Sequence, residues 1–333
     1  MAMKKFINDP ANLTRELLAG YEIAYGHKIR IVSEKIVARA KPKASGKVRL
    51  VTLGGAGHEP ALSGFVGAGM LDYSVVGDIF AAPGAPKVVE ALKLAEDPAG
   101  TLLVILNHAG DVLNGNLALQ MAERQKLTVR KVLTHEDIAP GATAPVEDRR
   151  GLVGCVPLFK VAGAAAEEGR SLDEVWAIAE RFSQNMATLA VAMRGATHPA
   201  TGGTIFELRE DEMEIGMGQH GEGGTGSQKL MSAEQTAAVM IERLVAAVKA
   251  KAGDDLLVVL NGAGATTLME LYIVMTGVKK YLDSKGIRVA RAVVDELLTV
   301  QEMAGFQMMV AKMDAELLRL WDAPCDTPYM TVR

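Results

Sequence analysis

Val48–Pro60 reads VRLVTLGGAGHEP, an apolar run that passes straight into a glycine-rich turn carrying one histidine. Such a run, bounded by glycine, reads as a buried strand with the turn at its carboxyl end. The pattern recurs downstream. Tyr73–Val76 leads into GDIFAAPGAP, Leu102–Leu106 into NHAGD and Leu256–Leu260 into NGAG. Helical stretches are expected near 85–95, 112–124 and 266–284, with another strand near 128–133. Strands alternating with helices of this length predict an α/β fold of largely parallel or mixed sheets flanked by helices.

Outward from these units, Asp9-Pro10 reads as a cap and first helical position, followed by Leu13, Leu17, Leu18 and Tyr21 at helical spacing. Residues 134–150 are polar and turn-rich, a long surface loop. A small-residue helix is expected over 152–168, and Ser171-Leu172-Asp173-Glu174 forms a capping box for the next. A boundary near Asn185 divides the chain into two α/β domains, 1–185 and 186–333, with an active site at strand ends between them. The second half opens with strands near 187–193, 204–208 and 212–217. Ser232 caps a helix of about twenty residues, and strands near 288–294 and 306–313 and a helix near 314–321 close the chain. LLVILNHAG and LLVVLNGAG match at seven of nine positions, an echo read either as one strand-to-turn solution used twice or as two topologically similar halves.

The 333 residues are 49% hydrophobic and 23% charged, as in ordinary globular proteins. A net charge of −4 argues against nucleic acid or an anionic membrane as the main partner. MAMKKFINDP lacks the apolar stretch of a secretory signal, and no apolar run approaches the ~20 residues of a membrane span. Cys155 and Cys325 stand alone, which fits a reducing cytoplasm rather than a disulfide framework.

Glu214–Gly226, EIGMGQHGEGGTG, sets His220 among six glycines. Glycine removes neighbouring side chains, so a small molecule can reach this imidazole from several sides. Its GMGQHG fits the dinucleotide fingerprint in letters, but no helix start follows to receive a pyrophosphate. No G-x-x-x-x-G-K-[ST] occurs either. His58 lies at a strand's carboxyl end, where open α/β sheets bind ligands. Asp111 is either the cap of the helix after NHAGD or a base for a substrate hydroxyl. Asp78 in GDIF reads as structural. His58, His108 and His220 all lie in glycine-rich strand ends near acids, but no H-x-x-x-H or H-x-H pair offers a local chelate, so no bound metal is expected.

GGAGHEPALSGFVGAGM, GDIFAAP, GDVLN, RRG, VAGAAAE, EIGMGQHGE, NGAGAT and LLRLWDAP, in this order, resemble the substrate-binding K subunit of bacterial dihydroxyacetone kinase. The resemblance implies a covalent hemiaminal between His220 and the ketone carbon of dihydroxyacetone. It implies substrate contacts along Gly55, Ala56, Gly57 and His58, and Asp111 as the base near the hydroxyl that receives phosphate. It implies no cofactor on this chain. A separate L subunit would hold ADP or ATP with magnesium, supplied by ATP or by a phosphotransferase-system M subunit, and the K subunit would be a homodimer. One segment departs from the resemblance. Where the family usually reads KNYTGD, this chain has Leu106-Asn107-His108-Ala109-Gly110-Asp111. A cationic donor is absent and an imidazole replaces a phenol, which admits a four-carbon ketose such as erythrulose. Two alternatives compete with the kinase subunit: a triose-sensing regulator that captures without turnover, and a nicotinamide-dependent oxidoreductase.

Overall fold

The structure is a computed structural model that describes residues 4–43, 45–224 and 226–333. Met1–Met3 of the N-terminal segment and Thr225 of the His220 segment lie outside the described residues. Asp9 accepts from Ala11 N–H and opens a short turn that continues into α1 (Leu13–Tyr25). A hairpin not foreseen from the sequence follows, β1 (Ile29–Ser33) and β2 (Ile36–Arg39). Next come β3 (Arg49–Ala56), β4 (Tyr73–Ile79), α2 (Ala85–Leu94), β5 (Thr101–Leu106), α3 (Ala109–Arg124) and β6 (Val129–Thr134). The sheet order is β1-β2-β4-β3-β5-β6, with β4, β3, β5 and β6 mutually parallel.

The central strands are apolar on both faces because both are covered. Val51, Leu53, Leu103 and Ile105 pack against α2 and α3. Leu50, Leu102, Val104 and Leu106 face the other way, toward α4 (Cys155–Glu167) and α5 (Leu172–Gln184). The helix start expected at 152 comes three residues later, after a turn, whereas the Ser171–Glu174 capping box forms as read.

The second sheet comprises β7 (Met186–Arg194), β8 (Glu212–Ile215), β9 (Ser227–Lys229), β10 (Asp255–Gly262), β11 (Arg288–Asp295) and β12 (Ala304–Lys312). Its order is β11-β10-β12-β7-β8-β9, and only the β10–β11 pair is parallel. Helices α6 (Ala233–Ala247) and α7 (Leu268–Ser284) cover one face. The other face joins α4 and α8 (Ala315–Asp322), so one apolar cluster takes side chains from both sheets. Helix α4 is buried nearly all round, which accounts for its lack of a polar stripe. A small hairpin, β13 (Cys325–Asp326) and β14 (Thr331–Val332), ends the fold.

The strand expected at 204–208 does not form. Thr204 makes one isolated bridge to Thr197, while Ile205 and Phe206 turn into a small cluster with Met217, Ala263, Val300 and Met303. Their apolar letters serve packing without a ladder. Helix α6 is also shorter than expected, ending before Lys249, which takes a positive φ of 53°. The echo between the halves is a repeated unit: β5–α3–β6 and β10–α7–β11 are both parallel β-α-β crossovers. In each, the asparagine after the strand ties down a loop. Asn107 donates to Glu147 O and Arg149 O, and Asn261 bonds Leu297 and Leu298.

Among the described residues no helix is long and apolar enough to cross a membrane.

Candidate functional site

The chain turns to opposite sides of β3 to reach β4 and β5, which makes the carboxyl ends of β3 and β5 the switch point of the first sheet. His58 follows β3 and Asp111 follows β5. His220 arrives from the second sheet on the turn between β8 and β9. All three line one cavity of about 360 Å³ counted with its mouth, at the small end for ligand sites. Gly55, Phe80, Leu106, Gln219 and Leu298 share its wall.

Gly55 is required by a close approach. A Cβ there would lie 2.7 Å from Ala81 N, in the turn after β4. Ala56 and Gly57 do not line the cavity. Ala56 faces the core and its carbonyl accepts from Phe80 N–H, while Gly57 N–H donates to Glu59 and its carbonyl accepts from Gln301. Strand alternation turns the Ala56 side chain inward, so of these four residues Gly55 and His58 face the cavity.

His58 is held from the second half of the chain. Its Nδ1 donates to Thr299 O at 2.8 Å, and its own carbonyl accepts from Thr299 N–H. A carbonyl accepts only, so the proton sits on Nδ1 and Nε2 carries the lone pair. That lone pair points at His220 Nε2, 3.1 Å away. On the far side of the His220 ring, Nδ1 lies 3.2 Å from Glu222 Oε1, and His220 N–H donates to Glu222 Oε2. A carboxylate also only accepts, which places a proton on His220 Nδ1. The contact between the two Nε2 atoms then needs one more proton. Burial, followed by the charge of His220, pushes His58 down to about 3. Burial would raise Glu222, but its hydrogen bonds and charge interaction with His220 hold it well below the usual carboxylate range. His220 thus stands between the Glu222 carboxylate and the His58 ring, with one proton shared between the two Nε2 atoms.

Asp111 is the third residue of α3, not its cap. His108 holds the cap position, so the capping role considered for Asp111 falls away. Its Oδ1 is buried without a hydrogen-bond partner, an arrangement that calls for a ligand or water. Burial pushes its carboxyl up to about 7, with the charge of His220 opposing. Asp78 is exposed and pairs with Lys35 at 2.5 Å, as a structural residue should.

Arg150, from the RRG segment, pins the His220 turn to the first half. Its guanidinium donates to Gly216 O at 2.7 Å and Glu222 O at 3.3 Å, while Nε pairs with buried Asp137 at 2.7 Å. A side chain at Gly218 would displace the ends of Glu222 and Arg150, which hold the His220 turn. Phe80 packs against both histidines, with ring centroids 5.0 Å from His58 and 5.5 Å from His220. Sequence reasoning gave no role to Phe80, Arg150, Gln219 or Thr299. GDIFAAP and RRG were visible as motifs, whereas nothing local marks Thr299. No helix follows GMGQHG; the chain passes to β9 among the described residues, so the letters of the dinucleotide fingerprint lack its fold.

The chain is 37% identical to the dihydroxyacetone-binding subunit DhaK of a PTS-dependent dihydroxyacetone kinase of Listeria innocua, over 98% of this chain and 99% of that protein. It is 36% identical to the D-erythrulose kinase of Mycolicibacterium smegmatis, over 98% of this chain and 56% of that protein. Among solved structures, a dihydroxyacetone kinase operon co-activator, DhaQ, superposes with a TM-score of 0.90 at 30% identity, covering 95% of this chain and 98% of that one. The dihydroxyacetone kinase of C. freundii gives 0.89 at 27% identity, covering 99% and 61%. With the Dak1 domain model matching residues 19–329, the chain belongs to the Dak1 domain family.

Proposed function

We propose that this chain is the substrate-binding subunit of a kinase for a small hydroxyketone, which it holds covalently on His220. The observation that carries the reading is the Nε2–Nε2 contact of His220 and His58 at 3.1 Å, in one small cavity with the unpartnered oxygen of Asp111. Capture begins when His58 takes the shared proton and frees His220 Nε2. That nitrogen bonds to the ketone carbon, the C=O π bond opens onto oxygen, and His58 returns the proton to that oxygen. The alkylated ring keeps one positive charge beside Glu222, so charge is conserved and nothing leaves. Reversal releases the intact ketone. Covalent capture selects carbonyl compounds over glycerol and fixes the terminal hydroxyl, which is most of what phosphoryl transfer requires. Asp111 accepts the hydroxyl proton as phosphate arrives. The phosphoryl donor is a nucleotide with magnesium on a separate L subunit, and the working form is a homodimer in the cytoplasm.

Intact-protein mass spectrometry with a panel of three- to five-carbon ketoses tests the capture step. The expected gain is the full mass of the ketose with no loss of water, one per chain, and none with glycerol. A gain short by one water would indicate an imine on a lysine and overturn the hemiaminal. The panel also ranks dihydroxyacetone against erythrulose, since Leu106 lines the cavity where the family resemblance places a cation.

Likeness to an operon co-activator favours one second reading, a sensor that forms the adduct without turnover. Phosphate transfer with a matching L subunit separates the two. Arg150 supplies a further prediction. Arg150→Lys keeps the charge but loses the planar fork. The His220 turn then shifts, and adduct affinity is expected to fall roughly 10²-fold. The same variant should show faster amide exchange at 216–222 and a nearly unchanged melting temperature. Unchanged adduct affinity would contradict the assignment.

A further inference from the structure

His108 stands beside His220, with ring centroids 5.3 Å apart and planes at 65°. Its Nε2 lies 2.8 Å from Gly151 O, which can only accept, so Nε2 carries the proton. The Gln219 carboxamide is 2.7 Å from the same nitrogen, and one N–H cannot also accept. Gln219 therefore turns its oxygen to the ring, which gives a partner to an Oε1 that is otherwise buried without one. The His108 lone pair is left on Nδ1. An imidazole whose far N–H is fixed by a backbone carbonyl is the arrangement that orients metal-ligating histidines.

One ligand atom each from His108, His220 and Glu222 lies within 4.8 Å of the others. Two imidazoles and a carboxylate make a zinc ligand set that leaves positions open. The set is assembled from two distant segments, which is why no local chelate pair was visible in the sequence.

We propose that His108, His220 and Glu222 form a site for a divalent transition metal, with Zn²⁺ the fitting ion, and that the metal and the ketone exclude one another. The metal takes the place of the proton on His220 Nδ1, the one that meets Glu222. With the metal on Nδ1, the proton between the two Nε2 atoms is the ring's last, and giving it to His58 would leave an imidazolate, so Nε2 is not freed for the carbonyl carbon. Metal occupancy then weakens ketone capture by the factor one plus the zinc concentration over its dissociation constant. The exclusion rests on the function proposed above; the metal site does not.

The test titrates Zn²⁺ alone into the chelator-treated full chain by calorimetry, for wild type, His108→Tyr and His108→Phe. Wild type is expected to bind one ion, with both variants weaker by at least roughly tenfold, because a direct ligand counts for no less than an outer partner. Without zinc, all three proteins should form the ketose adduct, and zinc should suppress it in wild type only. Absence of zinc binding by wild type, or equal affinity in both folded variants, overturns the site. Should either variant fail to fold, Co²⁺ added to wild type decides: its visible ligand-field bands must vanish when Glu222→Gln is made, and their persistence overturns the site. Failure of the zinc-free wild type to form any adduct would count against the proposed function, while the calorimetry still decides the metal.

Discussion

His220→Ala is expected to abolish ketose capture and to lower phosphate transfer by roughly 10³-fold or more. Fixing reacting groups in place can be worth effective molarities of ~10⁵ M and above, and the covalent bond is the main source of that fixation. Without it, the ketose would be held in the cavity only by its contacts with Gly55, His58 and Asp111, and glycerol could make the same contacts. Selectivity for carbonyl compounds should therefore collapse together with the rate. The side chain is 28% exposed but touches the rings of His58, Phe80 and His108, so a modest fall in melting temperature should accompany the loss of capture. Glu222 loses the partner that holds it below the usual carboxylate range, so its pKa should rise in the variant. Steady-state transfer with a matching L subunit, together with intact-mass detection of the adduct, checks both effects. Transfer at the wild-type rate would remove the mechanism.

Asp111→Asn is expected to separate capture from chemistry. A positioned base contributes about 10²–10⁴-fold, and asparagine keeps the shape while losing the proton acceptor. The adduct should still form, at near wild-type mass occupancy, while transfer falls within that range. Asp111 works deprotonated and its pKa is about 7, so the wild-type rate should climb as pH rises through about 7 and level off above it. That rise should be absent from the residual rate of the variant. Stability runs the other way. The folded pKa lies above the ordinary 3.8, so burial favours the protonated form. The stability this group contributes is full below about pH 4 and lost as pH rises through about 7. The neutral carboxamide escapes that loss, and the variant should melt higher than wild type at pH 8 but not at pH 4. Lower activity with higher stability marks a group retained for chemistry. A variant that is both inactive and less stable at pH 8 would argue for a structural Asp111.

The parallel core was legible because β3 and β5 are covered on both faces and their strand-to-turn changes are abrupt. The same signals revealed where His58 and His220 would lie. Two kinds of feature were not visible. The β1–β2 hairpin is short and half-exposed, with alternation too brief to stand out from its surroundings. The 204–208 segment carries strand-like letters that pack as an apolar plug under Phe80. At the site, Thr299 and Arg150 act through hydrogen bonds to backbone carbonyls or to the ring of a residue far along the chain or on another strand end. Such contacts leave no trace in local periodicity. Asp111 lies after its strand, but its cap reading fails, because the helix begins at Ala109, three residues before the start read near 112.

The central claim is one reversible bond between His220 Nε2 and a ketone carbon. The most direct test is NMR of the chain labelled with ¹⁵N-histidine and mixed with dihydroxyacetone carrying ¹³C at the carbonyl. The bond predicts that the carbon signal leaves the ketone region for that of a tetrahedral carbon and couples to one imidazole nitrogen, with both effects absent in His220→Ala. A bound ketose whose carbon keeps its ketone shift, or a tetrahedral carbon that persists in His220→Ala, would contradict it.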